Sequence, residues 1–128
     1  MNFLFVAVGG ALGAALRHAA VLGIRACIKT DFPLPILLIN IAGAFIIGFA
    51  SQVFSMHPAL NQHRLFIITG LLGGWTTFSS YALETVQLFQ KGSIAPALAY
   101  IMLSNLLCFL FVLAGMSLSK WIFGQRLV

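Results

Sequence analysis

Residues Gly70–Glu84 read GLLGGWTTFSSYALE. The stretch joins two adjacent glycines, Gly73 and Gly74, to five hydroxyl side chains (Thr76, Thr77, Ser79, Ser80 and Tyr81) and one acid, Glu84. What surrounds it is almost entirely apolar: of 128 residues 61% are hydrophobic and only 7% charged, with a mean hydropathy of +1.05. No soluble domain of this size is built with so little charge. A bilayer-spanning helix takes about 20 apolar residues, so four would use roughly 80 and leave short loops. The expected fold is therefore an all-α integral membrane protein, a single four-helix domain over residues 1–128. Its spans are expected at about 2–24, 34–54, 64–89 and 94–123. The apolar runs far exceed what a barrel strand needs. The first run lacks a basic flank and is too long for a signal segment, so it reads as a retained helix. The quoted stretch then falls inside the third span.

The remaining composition excludes several function classes. The seven basic residues, Arg17, Arg25, Lys29, Arg64, Lys91, Lys120 and Arg126, are scattered, whereas a nucleic-acid surface gathers them on one face. Cys27 and Cys108 make neither a disulfide framework nor a metal motif. His18, His57 and His63 lack ligand spacing, and no nucleophilic constellation is visible. Gly9 and Gly13 in span one, Ala44 and Gly48 in span two, and Gly115 and Ser119 in span four are small residues four apart. Such pairs let helix backbones approach closely in lipid, and tight packing is their expected role.

Glycine costs a helix about 1 kcal/mol relative to alanine, so Gly73-Gly74 followed by β-branched Thr76-Thr77 marks a weak point. Two arrangements fit. In one the helix breaks at the glycines and frees carbonyl oxygens, tolerated in a membrane only where protein or water covers them and able to hold a cation. In the other the helix merely kinks and the hydroxyls bond back to their own carbonyls. Phe78 and Tyr81 lie three apart on one face; they either pack as ordinary aromatics or present positive ring edges to an anion. Asn40, mid-span, must find hydrogen-bond partners. Tyr100, Ser104 and Cys108 recur every four residues, with Asn105 one step round, giving a donor-rich face. Such a face without an embedded cation suits a small, strongly accepting anion, held loosely enough to leave. Singly, each residue also serves as interhelical glue. Glu84 falls toward the end of its span, where a structural or vestibule role is expected over proton carriage.

Orientation normally follows the Lys/Arg excess of cytoplasmic loops. Here Arg64, Lys120 and Arg126 oppose Arg25, Lys29 and Lys91, three against three, with Arg17 inside span one. This balance leaves almost no topological preference: either a weak bias of another origin sets one orientation, or copies insert both ways and pair into an antiparallel dimer. Four helices are also few to enclose a polar path.

The pieces GGALGAALR at Gly9–Arg17, NIAG at Asn40–Gly43, and GGWTTFSSY with Glu84 resemble the small bacterial fluoride channels of the Fluc (CrcB) family, over essentially the whole chain. The resemblance implies a dual-topology homodimer in the bacterial inner membrane that passes fluoride through two pores. It implies pore residues Asn40, Phe78, Tyr81, Tyr100 and Ser104, with Arg17, Thr77, Ser79, Ser80 and Glu84 lining the pore or its vestibule. It also implies a structural sodium ion at the dimer centre, held by the backbone carbonyls of Gly73 and Thr76. This chain departs from the family in carrying Tyr81 for a second phenylalanine, Ser80 where threonine is common, and Cys108 in the span-four track. The competing class is the proton-coupled small multidrug exporter, but such exporters carry an acid in the first helix, where this chain has Arg17. A non-transporting assembly factor would explain the glycines and not the donor track.

Overall fold

Long, predominantly apolar runs give three helices, each long and apolar enough to cross a bilayer. The computed structural model describes residues 2–124. These helices are α1 (Asn2–Cys27), α2 (Leu34–Met56) and a C-terminal helix, Ile94–Gly124. Pro33 and Pro35 stand at the start of α2, where a missing N–H costs nothing. A short 3₁₀ turn, Pro58–His63, follows α2. The segment after it is in pieces: a π-helical stretch Leu65–Leu72, a single turn α3 (Gly73–Trp75), then α4 (Phe78–Gln90). The C-terminal helix is thus α5. α4 closes in a Schellman arrangement, with Gly92 N–H donating to Phe89 and Ser93 N–H to Leu88. Gly92 has φ +75°, which glycine alone adopts cheaply. No strand occurs among the described residues.

The small residues do what their spacing predicts. A β-carbon on Gly9 would lie 2.6 Å from the Phe66 carbonyl oxygen, and one on Gly13 would overlap the Leu71 oxygen. α1 therefore lies backbone to backbone on the Leu65–Trp75 half of the broken segment. On the other side, β-carbons on Gly48 and Gly115 would overlap the Val112 and Phe45 oxygens, locking α2 against α5. The two pairs meet at Gly43, beside Trp75 and Thr76.

Three of the basic residues gather at one end. Arg25, Lys29 and Lys91 line one cavity of about 600 Å³. At the opposite end His57 packs on Phe123, centroids 5.6 Å apart, and Leu4 and Phe5 share a cavity with His63 and Phe66. The broken segment hence runs between the same two ends as α1. Arg126 lies outside the described residues.

One expectation is corrected. The helix does not break at Gly73-Gly74. Gly73 is helical (φ −62°, ψ −36°), and a β-carbon on Gly74 would overlap the Gly10 oxygen, so Gly74 is a packing glycine against α1. The break comes at Thr76 (φ −78°, ψ 155°) and Thr77 (φ −148°, ψ 113°), both extended.

Candidate functional site

The break is built from side chains that replace lost helix bonds. Thr76 closes the first half: its N–H and its hydroxyl both donate to the Leu72 carbonyl, each at 3.0 Å. Thr77 opens the second half as an N-cap, its Oγ1 accepting from Ser80 N–H at 3.1 Å. The Thr77 hydroxyl also reaches Ser80 Oγ at 3.0 Å and Ser79 Oγ at 3.3 Å. Asn40, from α2, serves the extended residue: Thr77 N–H donates to Oδ1 at 2.9 Å and Nδ2 donates to the Thr77 carbonyl at 3.1 Å. Because a backbone N–H can only donate, the amide orientation is fixed. Asn40 pairs with Thr77 as a neighbouring strand would. Trp75 Nε1 donates to the Ile39 carbonyl at 3.0 Å and ties the first half to α2. On the α1 side, Arg17 Nη1 lies 3.5 Å from the Thr76 carbonyl oxygen. Both alternatives from sequence are thus partly realised, a true break and a hydroxyl bonded back.

Two kinds of cavity flank this knot. On the Arg25 side, a cavity of about 410 Å³ is lined by Arg17, His18, Ser80 and Glu84 among others, and Arg25, Glu84 and Gln87 also line the 600 Å³ cavity. On the other side lies a cavity of about 300 Å³, lined by Asn40, Thr76, Thr77, Phe78, Tyr81, Ser104, Asn105 and Cys108 with apolar neighbours. No charged residue lines it. Ser104 Oγ, buried there, has no hydrogen-bond partner among the described residues, and such an atom costs free energy until an acceptor or donor meets it.

Four rings link the two regions. Phe78 and Tyr81 have centroids 5.4 Å apart, Tyr81 and Tyr100 5.3 Å, and Phe32 and Tyr100 5.6 Å. Phe78 and Tyr81 face the uncharged cavity, while Phe32 lines the 600 Å³ one. Tyr100 itself is fully buried, and its hydroxyl donates to Glu84 Oε2 at 2.9 Å. The sequence face Tyr100–Ser104–Cys108 is real, but only Ser104 and Cys108 reach the uncharged cavity; Tyr100 ties the ring series to Glu84.

The structure therefore gathers Asn40, Phe78, Tyr81 and Ser104 around one uncharged cavity with Thr77 beside them. It places Arg17, Ser80 and Glu84 on the polar side, and Ser79 at the N-terminus of α4. Asn105, which the sequence places one step round from the Tyr100–Ser104–Cys108 face, also lines the uncharged cavity. Its Nδ2 donates to the Tyr81 hydroxyl oxygen at 3.1 Å and to the Ile101 carbonyl at 2.8 Å. An amide on the outer face of an apolar helix was the available signal.

A family model described as CrcB-like protein, Camphor Resistance (CrcB), matches residues 4–116. The chain is 39% identical over 121 residues to "Fluoride-specific ion channel FluC 2" of Nitrobacter hamburgensis, covering 94% of this chain and 98% of that one. It is 39% identical over 124 residues to "Fluoride-specific ion channel FluC" of Helicobacter pylori strain P12, covering 94% and 95%. Against the protein of the same name from Rhizobium meliloti the figure is 40% over 121 residues, covering 93% and 96%. The chain belongs to the CrcB family.

Proposed function

We propose that this protein is a passive, fluoride-selective channel of the bacterial inner membrane that lets cytoplasmic fluoride leave down its electrochemical gradient. It is a channel and not an enzyme. The observation that carries the reading is the 300 Å³ cavity lined by aromatic rings and neutral donors and by no charged residue. A dehydrating anion needs its water replaced, yet a fixed cation would hold it too long. The cations Arg17, Arg25, Lys29 and Lys91 all line the other cavities, where they raise local anion concentration. The printed names of the relatives point the same way. HF entering an acidified cell ionises and is trapped, and a leak for the anion relieves this. The test is liposome efflux: rapid fluoride loss with chloride retained is expected. Proton-dependent export of an organic cation would favour the multidrug exporter, and no transport of either the assembly factor.

The segment Leu65–Gln90 is the fourth crossing in this reading, and the working unit is an antiparallel homodimer. Support comes from the balance of basic residues between the two ends, and from Phe78, 77% exposed on the protomer beside the cavity, as though a second copy completes its wall. Reporter fusions at the C-terminus should signal from both sides of the membrane; a single side would remove the dual topology.

A sodium ion at the centre fits the backbone. In an unbroken helix the Gly73 and Thr76 carbonyls would accept from the N–H groups of Thr77 and Ser80. Those donors go instead to Asn40 and to Thr77 Oγ1, leaving hard oxygens of the kind such a cation takes. Two oxygens do not surround an ion, and a second copy would supply an equal pair. The contact of Arg17 with the Thr76 oxygen competes for one of them. Replacing sodium by a large organic cation should lower the thermal stability of the purified dimer; unchanged stability would dismiss the ion.

A further inference from the structure

The tyrosine at position 81 brings a hydroxyl to the ring pair, and the way that hydroxyl is held decides what it offers. The Ile101 carbonyl can only accept, so the atom of Asn105 that faces it at 2.8 Å must be the nitrogen. The same nitrogen lies 3.1 Å from the Tyr81 oxygen. An amide nitrogen has two hydrogens and no usable lone pair, so both hydrogens are spent, one on each oxygen. The phenol oxygen of Tyr81 is therefore an acceptor toward Asn105, and its own hydrogen must point to something else. Among the described residues it has no acceptor, and Tyr81 lines the uncharged cavity together with Asn105.

We propose that Asn105 is a positioning residue that occupies the Tyr81 oxygen and so turns the Tyr81 O–H toward the cavity as a direct hydrogen-bond donor to the permeating anion. The inference rests on reading that cavity as the fluoride path. It gives the ring pair two different functions: Phe78 presents only a carbon-bound edge, while Tyr81 presents an edge and a true donor. An O–H donor to a charged acceptor is stronger than a ring edge or a neutral bond. Binding at this point is accordingly tighter, and escape from it slower, than with phenylalanine in the same place. A hydroxyl free to rotate would do less, because half its orientations present a lone pair that repels an anion. The amide of Asn105 removes those orientations.

The experiment is fluoride efflux from liposomes as a function of fluoride concentration, on the full-length protein and on Tyr81→Phe, Asn105→Leu and the double substitution, each checked for a monodisperse dimer. Tyr81→Phe is expected to raise the half-saturating fluoride concentration about tenfold, equivalent to ~1.4 kcal/mol, and to raise maximal flux, because escape from the site is then faster. Asn105→Leu is isosteric and lies on an exposed position; it should shift half-saturation in the same direction by about threefold to tenfold and add nothing in the Tyr81→Phe background. Should leucine fail to give folded protein, Asn105→Ala serves for the same comparison. If the unmodified protein carries no fluoride, the channel reading itself fails. If it does conduct and Tyr81→Phe leaves half-saturation unchanged, the hydroxyl is not a ligand. If Asn105→Leu still shifts half-saturation in the Tyr81→Phe background, Asn105 acts by another route. Either of these last two results overturns the inference.

Discussion

Asn40→Leu should unfold or severely loosen the broken segment and abolish fluoride efflux, although leucine matches asparagine in size and suits a membrane better. The reason lies in what Asn40 touches. Its amide engages both the N–H and the carbonyl of Thr77, the residue whose extended backbone cannot make helix bonds. Leucine leaves both groups without partners beside an uncharged cavity. The floor for the cost is about 0.6 kcal/mol per interhelical bond in a membrane. The ceiling is about 3 kcal/mol for each orphaned buried group. The total is therefore between about 1 and 6 kcal/mol, set against a folding free energy of roughly 5–15 kcal/mol. Asn40→Asp keeps an acceptor for the Thr77 N–H but sets an oxygen against the Thr77 carbonyl, so it preserves only one of the two bonds and should also destabilise the break. Thermal unfolding of the detergent-purified proteins ranks the three. Leucine matching the parent protein in both stability and flux would show that Thr77 does not depend on this amide.

The same clamp explains which parts of the architecture a reader of the sequence can see. Spans two and four are almost continuous apolar runs, and their ends fall within a few residues of α2 and α5. The glycine pairs are equally legible, since four-residue spacing of small side chains has one main physical use in lipid. The position of the break is not. Local propensity points to Gly73-Gly74, yet those residues stay helical, with Gly74 packed against α1. What diverts the backbone at Thr77 is a side chain 37 positions away, and no window of local sequence contains it. The π-helical turn of Leu65–Leu72 is hidden for a related reason: its residues are apolar but for Thr69 and carry no periodicity to distort. Spacing does place Tyr100, Ser104 and Cys108 on one face. It cannot tell that the Tyr100 hydroxyl turns to Glu84 and not to the cavity, because that depends on where α4 lands.

Phe78→Ile is expected to reduce fluoride flux at least tenfold, ~1.4 kcal/mol on the barrier, while leaving the protomer's fold almost untouched. The two halves of this expectation come from the same fact. Phe78 is the first residue of α4, directly after the extended threonines, and its ring stands 77% exposed on the protomer. It touches the Tyr81 ring at a centroid distance of 5.4 Å but fills no buried core. Exposed substitutions usually change stability by less than about 0.5 kcal/mol, so a fold held by glycine contacts and the Asn40 clamp should tolerate isoleucine. Conduction has no such tolerance. Isoleucine keeps the apolar bulk but lacks the positive ring edge, so at this point of the path a dehydrated anion would face hydrocarbon. The remaining donors, Ser104, the Asn40 amide and the Tyr81 hydroxyl, line the same cavity, but none of them replaces the edge lost at position 78. Phe78 is therefore the residue at which the channel reading and the packing reading of the aromatic pair part most sharply. Under packing alone, isoleucine costs a little stability and nothing in flux. Normal efflux from folded Phe78→Ile protein would assign the ring to packing and remove it from the path.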